Sequence, residues 1–305
     1  MSRRGLFVGM VALDMIYLVE QLPDRNQKIV AIDFTTSAGG PATNAAVTFS
    51  YLGNSATLMG SVGTHALSQI IRADLQQWQV ELVDLDPQRR DPVPTASILV
   101  TQATGDRAVV SLTAPHASFL PANHSPITHS PNPQASINLD SLEIVLIDGH
   151  QMALSKAIAQ QAHALAIPVV ADCGSWKPGF EEVLPYVSHA ICSANFYPPQ
   201  CQTAAEVLAY LEALAVPHVA ITGGDQPIQF LSRGQFGEIS VTTVAAVDTL
   251  GAGDIFHGAF CHFLLHHTPT QSGFTDALAQ AVQVASYSCQ FFGTRRWMES
   301  GKLFF

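Results

Sequence analysis

Charged side chains are scarce in this sequence and make up only 12% of its 305 residues. That share is about half of the roughly 25% that is typical of soluble domains. Acidic residues outnumber basic ones by 24 to 14, which gives a formal net charge of -10. This balance argues against nucleic acid or an anionic membrane surface as the main partner. An anion bound by this protein must therefore be held by backbone N–H groups, a metal ion or a few well-placed cations.

Cysteine and long apolar runs are also lacking. Five cysteines are scattered along the chain without a Cys-x-x-Cys pair, which predicts reduced thiols and a cytoplasmic location. No apolar run approaches the roughly 18 residues that a membrane-spanning helix needs. The apolar stretch of residues 5–13 follows two arginines and so resembles a signal peptide, but Asp14 interrupts it and no small-residue cleavage site follows. We interpret this stretch as a buried first strand.

The sequence does have a large hydrophobic fraction, 48%, arranged in two alternating periodicities. Short apolar runs predict strands at residues 6–11, 56–59, 144–147, 169–171, 190–193 and 219–222. Amphipathic stretches predict helices at residues 44–52, 65–79, 154–165, 180–184, 203–215, 253–266 and 274–291. Repeated strand–helix–strand units indicate an α/β domain with a mostly parallel sheet between helix layers. Ligands should gather at the carboxyl ends of the strands, where we expect Asp14, Asp148, Asp172 and Gly223.

Two segments, at about residues 15–37 and 94–113, interrupt this rhythm with alternating stretches rich in β-branched residues. Thr104-Gly-Asp-Arg107 is typical of a hairpin turn within the second segment. We predict that both segments form a small β-sheet lid, inserted in a single domain that spans residues 1–305. Residues 115–133 are rich in proline and contain His116, His124 and His129, and we expect an irregular connection there.

The sharpest motif is Asp248-Thr-Leu-Gly-Ala-Gly-Asp254, directly before a predicted helix. Gly251, Ala252 and Gly253 have small side chains, so that successive N–H groups can point at an anion, and the helix dipole adds to their field. A carboxylate beside such a site makes sense if Asp254 takes a proton from a hydroxyl that attacks phosphorus. An acidic residue is also favoured in the first turn of any helix, and the pattern alone leaves both interpretations open.

Two further motifs lie near the N-terminus. In Gly39-Gly-Pro-Ala-Thr-Asn44, the glycines permit close backbone approach, and Asn44 offers both a donor and an acceptor to a polyol. By itself this motif could be only a turn and a helix N-cap. In Gly9-Met-Val-Ala-Leu-Asp14, the carboxylate could accept hydrogen bonds from two adjacent hydroxyls, or it could belong to a surface turn.

Taken together, these motifs resemble the signatures of the ribokinase-like (PfkB) carbohydrate kinases, and the resemblance spans residues 5–294. It implies a three-layer α/β/α domain with a mostly parallel sheet and a small β-sheet lid. It also implies transfer of the γ-phosphoryl group of ATP, with Mg²⁺, to a primary hydroxyl of a sugar. In that family the residue matching Asp254 is the general base, and the residues matching Gly251, Ala252 and Gly253 form the anion hole.

The resemblance extends to residues that would hold the two substrates. The predicted sugar contacts are Asp14, Gly39, Gly40 and Asn44. The predicted nucleotide contacts are Asn195, Thr222, Gly224, Thr249, Gly251 and Gly253. Arg107 on the lid turn could reach a hydroxyl or a phosphate, although an exposed hairpin charge is the commoner case. Asp148, at a strand end over the cleft, could contact the ligand or not.

The chain departs from the family pattern at two positions. His65 stands where the family usually has an aspartate. The family commonly carries an Asn-x-x-Glu segment whose glutamate helps to organise Mg²⁺, whereas here Pro198 follows Asn195 at the glutamate position. The mode of metal binding is therefore open. This segment is closer to ketohexokinase-like members, which favours a ketose such as fructose, and a sugar of the ribose type is the other candidate. The alternatives are a nucleoside kinase of the same fold and a non-catalytic sugar- or nucleotide-binding descendant. Because several family members pair through their lids, we also expect a homodimer through the lid.

Overall fold

A computed structural model of the chain describes residues 2–112, 139–268 and 270–302. The predicted irregular connection at residues 115–133, and the last residue of the predicted lid segment at position 113, lie outside the described residues. No helix within the described ranges is long and apolar enough to cross a membrane.

A nine-stranded sheet forms the centre of the molecule, in the order β13-β12-β11-β10-β9-β8-β1-β4-β5. Its strands are β1 (Arg4–Val8), β4 (Ser55–Gly60), β5 (Glu81–Asp84), β8 (Ile144–Ile147), β9 (Val169–Cys173), β10 (His189–Ser193), β11 (His218–Gly223), β12 (Gln226–Ser232) and β13 (Gln235–Ile239). The sheet is parallel from β11 to β5 and ends in the antiparallel pair β12 and β13. The carboxyl ends of the parallel strands therefore meet at one edge, as predicted.

Helices cover both faces of this sheet. They are α1 (Pro41–Tyr51), α2 (Ser68–Gln77), α3 (Met152–Ala164), α4 (Phe180–Val183), α5 (Ala204–Ala213), α6 (Ala252–Leu264), α7 (Gln271–Ser288) and α8 (Arg296–Glu299). One core contains apolar residues of α1, α2, α6, α7 and α8, and the other those of α3, α4 and α5. Strand β8 reads Ile-Val-Leu-Ile and is buried throughout, because its side chains alternate between the two cores.

Helices α1 and α6 pack unusually closely. A Cβ atom built on Gly258 of α6 would lie 2.3 Å from the backbone oxygen of Ala45 in α1, so that only glycine permits this approach. The two helices carry Asn44 near the start of α1 and Asp254 in the first turn of α6. Their contact brings together two motifs that are far apart in the sequence.

A second sheet of four strands, the lid, has the order β3-β2-β6-β7. Its strands are β2 (Ala12–Val19), β3 (Asp33–Gly39), β6 (Thr95–Thr101) and β7 (Arg107–Leu112). Alternate residues of β2 and β6 on one face of the lid pack with Phe292 in a small core of their own. This arrangement confirms the predicted combination of an α/β domain and a β-sheet lid.

The structure differs from the predicted elements in two respects. The first strand ends at Val8, and Asp14 lies inside the lid strand β2 rather than at the end of the first strand. The chain leaves the main sheet at Gly9, where a Cβ atom would lie 2.1 Å from the carboxylate of Asp148. Strands β5, β12 and β13 were not predicted, because they lie at or next to the sheet edges and carry many exposed or half-buried residues.

Two buried histidines in the main sheet predict acid sensitivity. The rings of His189 and His218 stack at 4.8 Å beside Phe274, and burial lowers the pKa of His189 to about 3 and that of His218 to about 4. An unfolded histidine has a pKa of about 6.5. Their contribution to stability is therefore complete above pH 6.5 and is lost as the pH falls toward 4, by about 2 kcal/mol per histidine at pH 5.

Urea unfolding at pH 7.5 and pH 5 tests this prediction. The loss of unfolding free energy on acidification should be smaller in His189→Leu than in the wild type. His163→Gln, at an exposed histidine of α3, serves as the control and should keep the wild-type loss. An identical loss in His189→Leu and the wild type would contradict the assignment.

Candidate active site

The motifs of the sequence analysis meet at the amino end of α6, beneath the lid. Asn44 Nδ2 donates a hydrogen bond of 2.8 Å to Asp254 Oδ2. Gly251, immediately before α6, has a φ of 68°, and a Cβ atom there would lie 2.9 Å from Thr294 Cγ2. A glycine is therefore required for both the backbone conformation and the space. The two motifs, 210 residues apart in the chain, form one site.

The loop before α6 is held rigidly by a buried carboxylate. Asp248 Oδ1 accepts the N–H of Leu250 at 2.9 Å, and Oδ2 accepts the N–H of Gly293 at 2.9 Å. The first N–H groups of a helix have no intrahelical acceptor, and in the described ranges those of Gly251 and Gly253 find no other acceptor. Together with the helix dipole, this loop is suited to bind an anion.

The surroundings of Asp254 disfavour its charged form. The side chain is half-buried, and loss of hydration together with the nearby charge of Asp172 raises its pKa, against the hydrogen bond from Asn44. Burial likewise raises the pKa of Asp172. Burial also lowers the pKa of His257, whose Nδ1 lies 2.6 Å from the oxygen of Gly253 and 3.5 Å from Asp172 Oδ2. A carboxylate with a raised pKa is suited to accept a proton near neutral pH.

Asp14 lies across the cleft from the helix, on the lid strand β2. Its side chain is only 8% exposed, and burial raises its pKa to about 6, although the charge of Arg295 opposes the shift. A Cβ atom at Gly39 would lie 2.1 Å from Asp14 Oδ2, so that a glycine leaves room for this carboxylate. Among the described residues no donor binds it. A buried carboxylate without a donor is a costly arrangement, which ligand hydroxyls would relieve.

Asp148 directly follows the end of β8, as predicted, but its carboxylate is bonded within the chain. Its side chain is fully buried, Oδ2 accepts the N–H groups of Met10 and Ala42 at 2.9 and 3.1 Å, and Oδ1 accepts the N–H and Nδ1 of His150 at 2.9 and 3.0 Å. The carboxylate ties the end of β1, the start of α1 and the end of β8 together, and each of its oxygens already accepts two hydrogen bonds. Its contact with a ligand stays a prediction. His150, which is 31% exposed, is the polar side chain presented at this strand end.

The turn of the lid hairpin touches the loop before α6. Arg107 Nη1 donates a 3.1 Å hydrogen bond to Thr249 Oγ1. A Cβ atom on Gly105, at the turn, would lie 3.2 Å from the oxygen of Val247. The structure thus places one of the few cations of this chain beside the candidate anion site.

The residues predicted to contact the nucleotide follow two neighbouring strands. Ser193 of β10 pairs with Thr222 of β11, and Asn195 and Gly224 follow directly after them. Asn195 is exposed, whereas Pro198 at the glutamate position is buried. In the part of the chain that the structure describes, no three side chains of His, Cys, Asp or Glu come close enough to form a metal site.

Three polar residues of the site were not identified from the sequence. His150 carried a signal, because it follows a predicted strand end by three residues. The sequence contains no such signal for Arg295 and Asp74. A buried arginine has no sequence signature, and its carboxylate partner lies 221 residues away. Arg295 is only 7% exposed and donates a 2.8 Å hydrogen bond to Asn44 Oδ1.

The fold and the site define a ribokinase-like α/β protein. The model of the pfkB family carbohydrate kinases matches residues 4–300, and the chain belongs to this family. Ribokinase from Bacillus subtilis (strain 168) is 24% identical over 295 residues, which cover 95% of this chain and 94% of that one. Ketohexokinase from Mus musculus is 27% identical over 109 residues, 36% of this chain and 37% of that one. The structure of Arabidopsis thaliana ribokinase with ribose and ATP is similar with a TM-score of 0.73, at 20% identity over 98% of this chain and 99% of that one.

Proposed function

We propose that this protein is an ATP-dependent kinase that transfers the γ-phosphoryl group to a primary hydroxyl of a sugar. The observation that carries this proposal is the pairing of Asp254 with Asn44, at 2.8 Å, beside the free N–H groups that open α6. A proton acceptor and an anion site then face the same small volume. Membership in the pfkB family supports the same reaction class.

Each group has a defined task in the proposed reaction. Asp14 accepts hydrogen bonds from sugar hydroxyls, and Asn44 and the backbone at Gly39 and Gly40 complete the sugar site. Asp254 accepts the proton of the attacking hydroxyl as its oxygen bonds to phosphorus. The N–H groups of Gly251 and Gly253 stabilise the negative charge on the transferred group. The N–H of Ala252 joins them on leaving its 3.3 Å hydrogen bond to the oxygen of Thr249.

The nucleotide site is proposed along the neighbouring strand ends. Asn195, Thr222, Gly224 and Thr249 would bind ATP, and Arg107, already in contact with Thr249, would lie near its phosphates. Magnesium, when bound, neutralises phosphate charge, and it usually keeps several waters and takes only one or two carboxylates from a protein.

The substrate class is proposed from the relatives. The relative named as a ribokinase matches nearly the whole chain, whereas the one named as a ketohexokinase matches about a third of it. A structural relative holds ribose together with ATP. We therefore infer a sugar of the ribose type as the first candidate and a ketose such as fructose as the second.

Release of ADP from Mg·ATP tests the proposal. The purified protein is assayed with ribose, deoxyribose, fructose and adenosine, and Asp254→Asn serves as the blank for background hydrolysis. Turnover with ribose or fructose is expected. Turnover with adenosine alone would indicate a nucleoside kinase, and binding of ATP and sugar in calorimetry without ADP release would indicate a non-catalytic protein.

The outer face of the lid supports the proposed homodimer. Pairing of Tyr17 with Phe34 and Leu99, and of Ser97 with Val110, places these residues on one face of the sheet. Val110 is 71% exposed and Phe34 is 48% exposed. A four-stranded sheet with one apolar face uncovered is expected to pair with a second copy of the chain.

Sedimentation equilibrium tests the dimer. We expect a mass near twice 32.6 kDa for the wild type at micromolar concentration. Val110→Glu should give the monomer mass, because it places a charge in the apolar contact. Leu165→Glu, at an exposed leucine after α3, should remain dimeric. A monomeric wild type would rule out the dimer.

A further inference from the structure

Arg295 is a buried cation behind the candidate active site. It lies between α7 and α8 and is anchored by Asp74 of α2, whose Oδ2 accepts Nη2 at 3.1 Å and Nε at 3.4 Å. Nη2 also donates to the oxygen of Ala38 at 2.6 Å, and Nη1 donates to Thr294 Oγ1 at 3.1 Å. With these bonds the guanidinium has one orientation. It has no donor left for a substrate beyond its bond to Asn44.

The bond from Arg295 determines which way the amide of Asn44 points. Arg295 Nη1 donates to Asn44 Oδ1 at 2.8 Å, and Asn44 Nδ2 donates to Asp254 Oδ2 at 2.8 Å. A flipped amide would place NH₂ against a guanidinium that can only donate, and an oxygen against a carboxylate that can only accept. Both hydrogen bonds would be lost at once. The amide orientation therefore follows from the chemistry of its two neighbours.

We propose that Arg295, anchored by Asp74, is a positioning residue that holds the amide of Asn44 so that it donates to Asp254. The inference rests on the proposed role of Asp254 as the base. Arg295 itself contacts neither substrate. It acts through Asn44 and keeps the carboxylate of Asp254 oriented toward the attacking hydroxyl.

The titration of Asp254 reports on this arrangement. Besides Asn44, the groups that face Asp254 are Asp172 on β9, His257 on α6 and Asp14 on β2. The hydrogen bond from Asn44 and the electrostatic interaction with His257 favour the ionised form, against burial and the two carboxylates. Loss of the amide orientation therefore removes one of two favourable interactions, and the pKa of Asp254 should rise.

The first test needs no turnover. The carboxyl carbon of Asp254 is followed by ¹³C NMR in protein labelled at aspartate, with Asp254→Asn used to assign its signal. The pKa of Asp254 should be higher in Arg295→Gln than in the wild type. Arg72→Gln is the matched control, because Arg72 also pairs with a largely buried carboxylate, Asp84, while its hydrogen bonds go to Asp84 and Gly63 rather than to Asn44. Its Asp254 titration should equal that of the wild type.

The second test uses kinetics in the wild-type background. In Arg295→Gln we expect kcat to fall roughly 10- to 100-fold, because small misplacements of reacting groups have effects of that order. The acid limb of the pH profile of kcat should also move to higher pH. In an Asn44→Ala background, the same change at Arg295 should have no further effect on that limb. Additive effects in the double variant would overturn the proposal.

Failure of the proposal and failure of the proposed function give different results. An unchanged Asp254 titration in Arg295→Gln overturns the positioning role, whether or not the wild type is active. The wild type could be inactive while the pKa of Asp254 is still raised in Arg295→Gln. That result would support the positioning role of Arg295 and contradict the proposed role of Asp254 as the base. If Arg295→Gln does not fold, the same titration of Asp254 is measured in Asp74→Asn, which weakens the anchor of Arg295 at the same side-chain volume. An unchanged pKa of Asp254 there would overturn the positioning role.

Discussion

Replacing Asp254 by asparagine is expected to lower kcat by about 10²–10⁴-fold, the range that loss of a general base usually produces. The amide has the shape of the carboxylate and can still accept the hydrogen bond from Asn44, so that the site should remain intact. It cannot take a proton from the attacking hydroxyl. The KM values for sugar and ATP should therefore stay within a few-fold of the wild type, and the loss should appear in kcat.

Steady-state kinetics of the purified variant check this expectation. Asp276→Asn, at an exposed aspartate of α7, is the matched control for loss of one negative charge and should keep wild-type turnover. Because burial and Asp172 raise the pKa of Asp254, wild-type kcat should fall on the acidic side as this carboxylate is protonated. A variant that keeps more than about a tenth of the wild-type kcat would show that Asp254 is not the base.

The two motifs that form the active site were predictable because their chemistry is local. Small residues at 251–253 are needed where the backbone must face an anion, and the glycines at 39 and 40 are needed where the chain passes close to a ligand. The distance between the two motifs in the folded protein could not be predicted from the sequence. That distance depends on Gly258, which allows α6 to approach α1, and the significance of one glycine in an apolar helix is not visible without the partner helix.

Supporting residues were the hardest to predict. Asp148 was expected at a strand end, and it is there, but its two oxygens bind the chain's own N–H groups and His150. Arg295 and Asp74 are 221 residues apart in the sequence, and no periodic pattern connects them. Hydrogen bonds of this kind depend on the completed fold, whereas strand and helix patterns depend on neighbouring residues.

The edges of the sheet show the same limit. The central strands were predicted because both of their faces are apolar, as in β8. Strand β12 begins with two exposed residues and then alternates buried with half-buried ones, and β13 is mostly exposed. Both follow β11 after a short turn. Their antiparallel pairing is set by the neighbouring strand rather than by a hydrophobic run of their own.

Removing the carboxylate of Asp14 should act on the sugar alone. Hydrogen bonds to a charged group contribute about 1.5–3 kcal/mol each, so that loss of two should raise the sugar KM on the order of 10²-fold or more in Asp14→Ala. The KM for ATP should change little, because the proposed nucleotide contacts follow β10 and β11, across the cleft from the lid strand that carries Asp14. Since burial raises the pKa of Asp14 to about 6, the wild-type sugar KM should also rise as the pH falls below 6.

The same variant should be more stable than the wild type when no ligand is present. The wild-type carboxylate is buried and has no hydrogen-bond donor among the described residues, so its removal relieves a desolvation cost. Glu20→Ala, at an exposed carboxylate directly after β2, is the control and should change neither Tm nor the sugar KM. Equal rises of both KM values in Asp14→Ala, or a lower Tm with an unchanged sugar KM, would show that Asp14 supports the lid rather than the sugar.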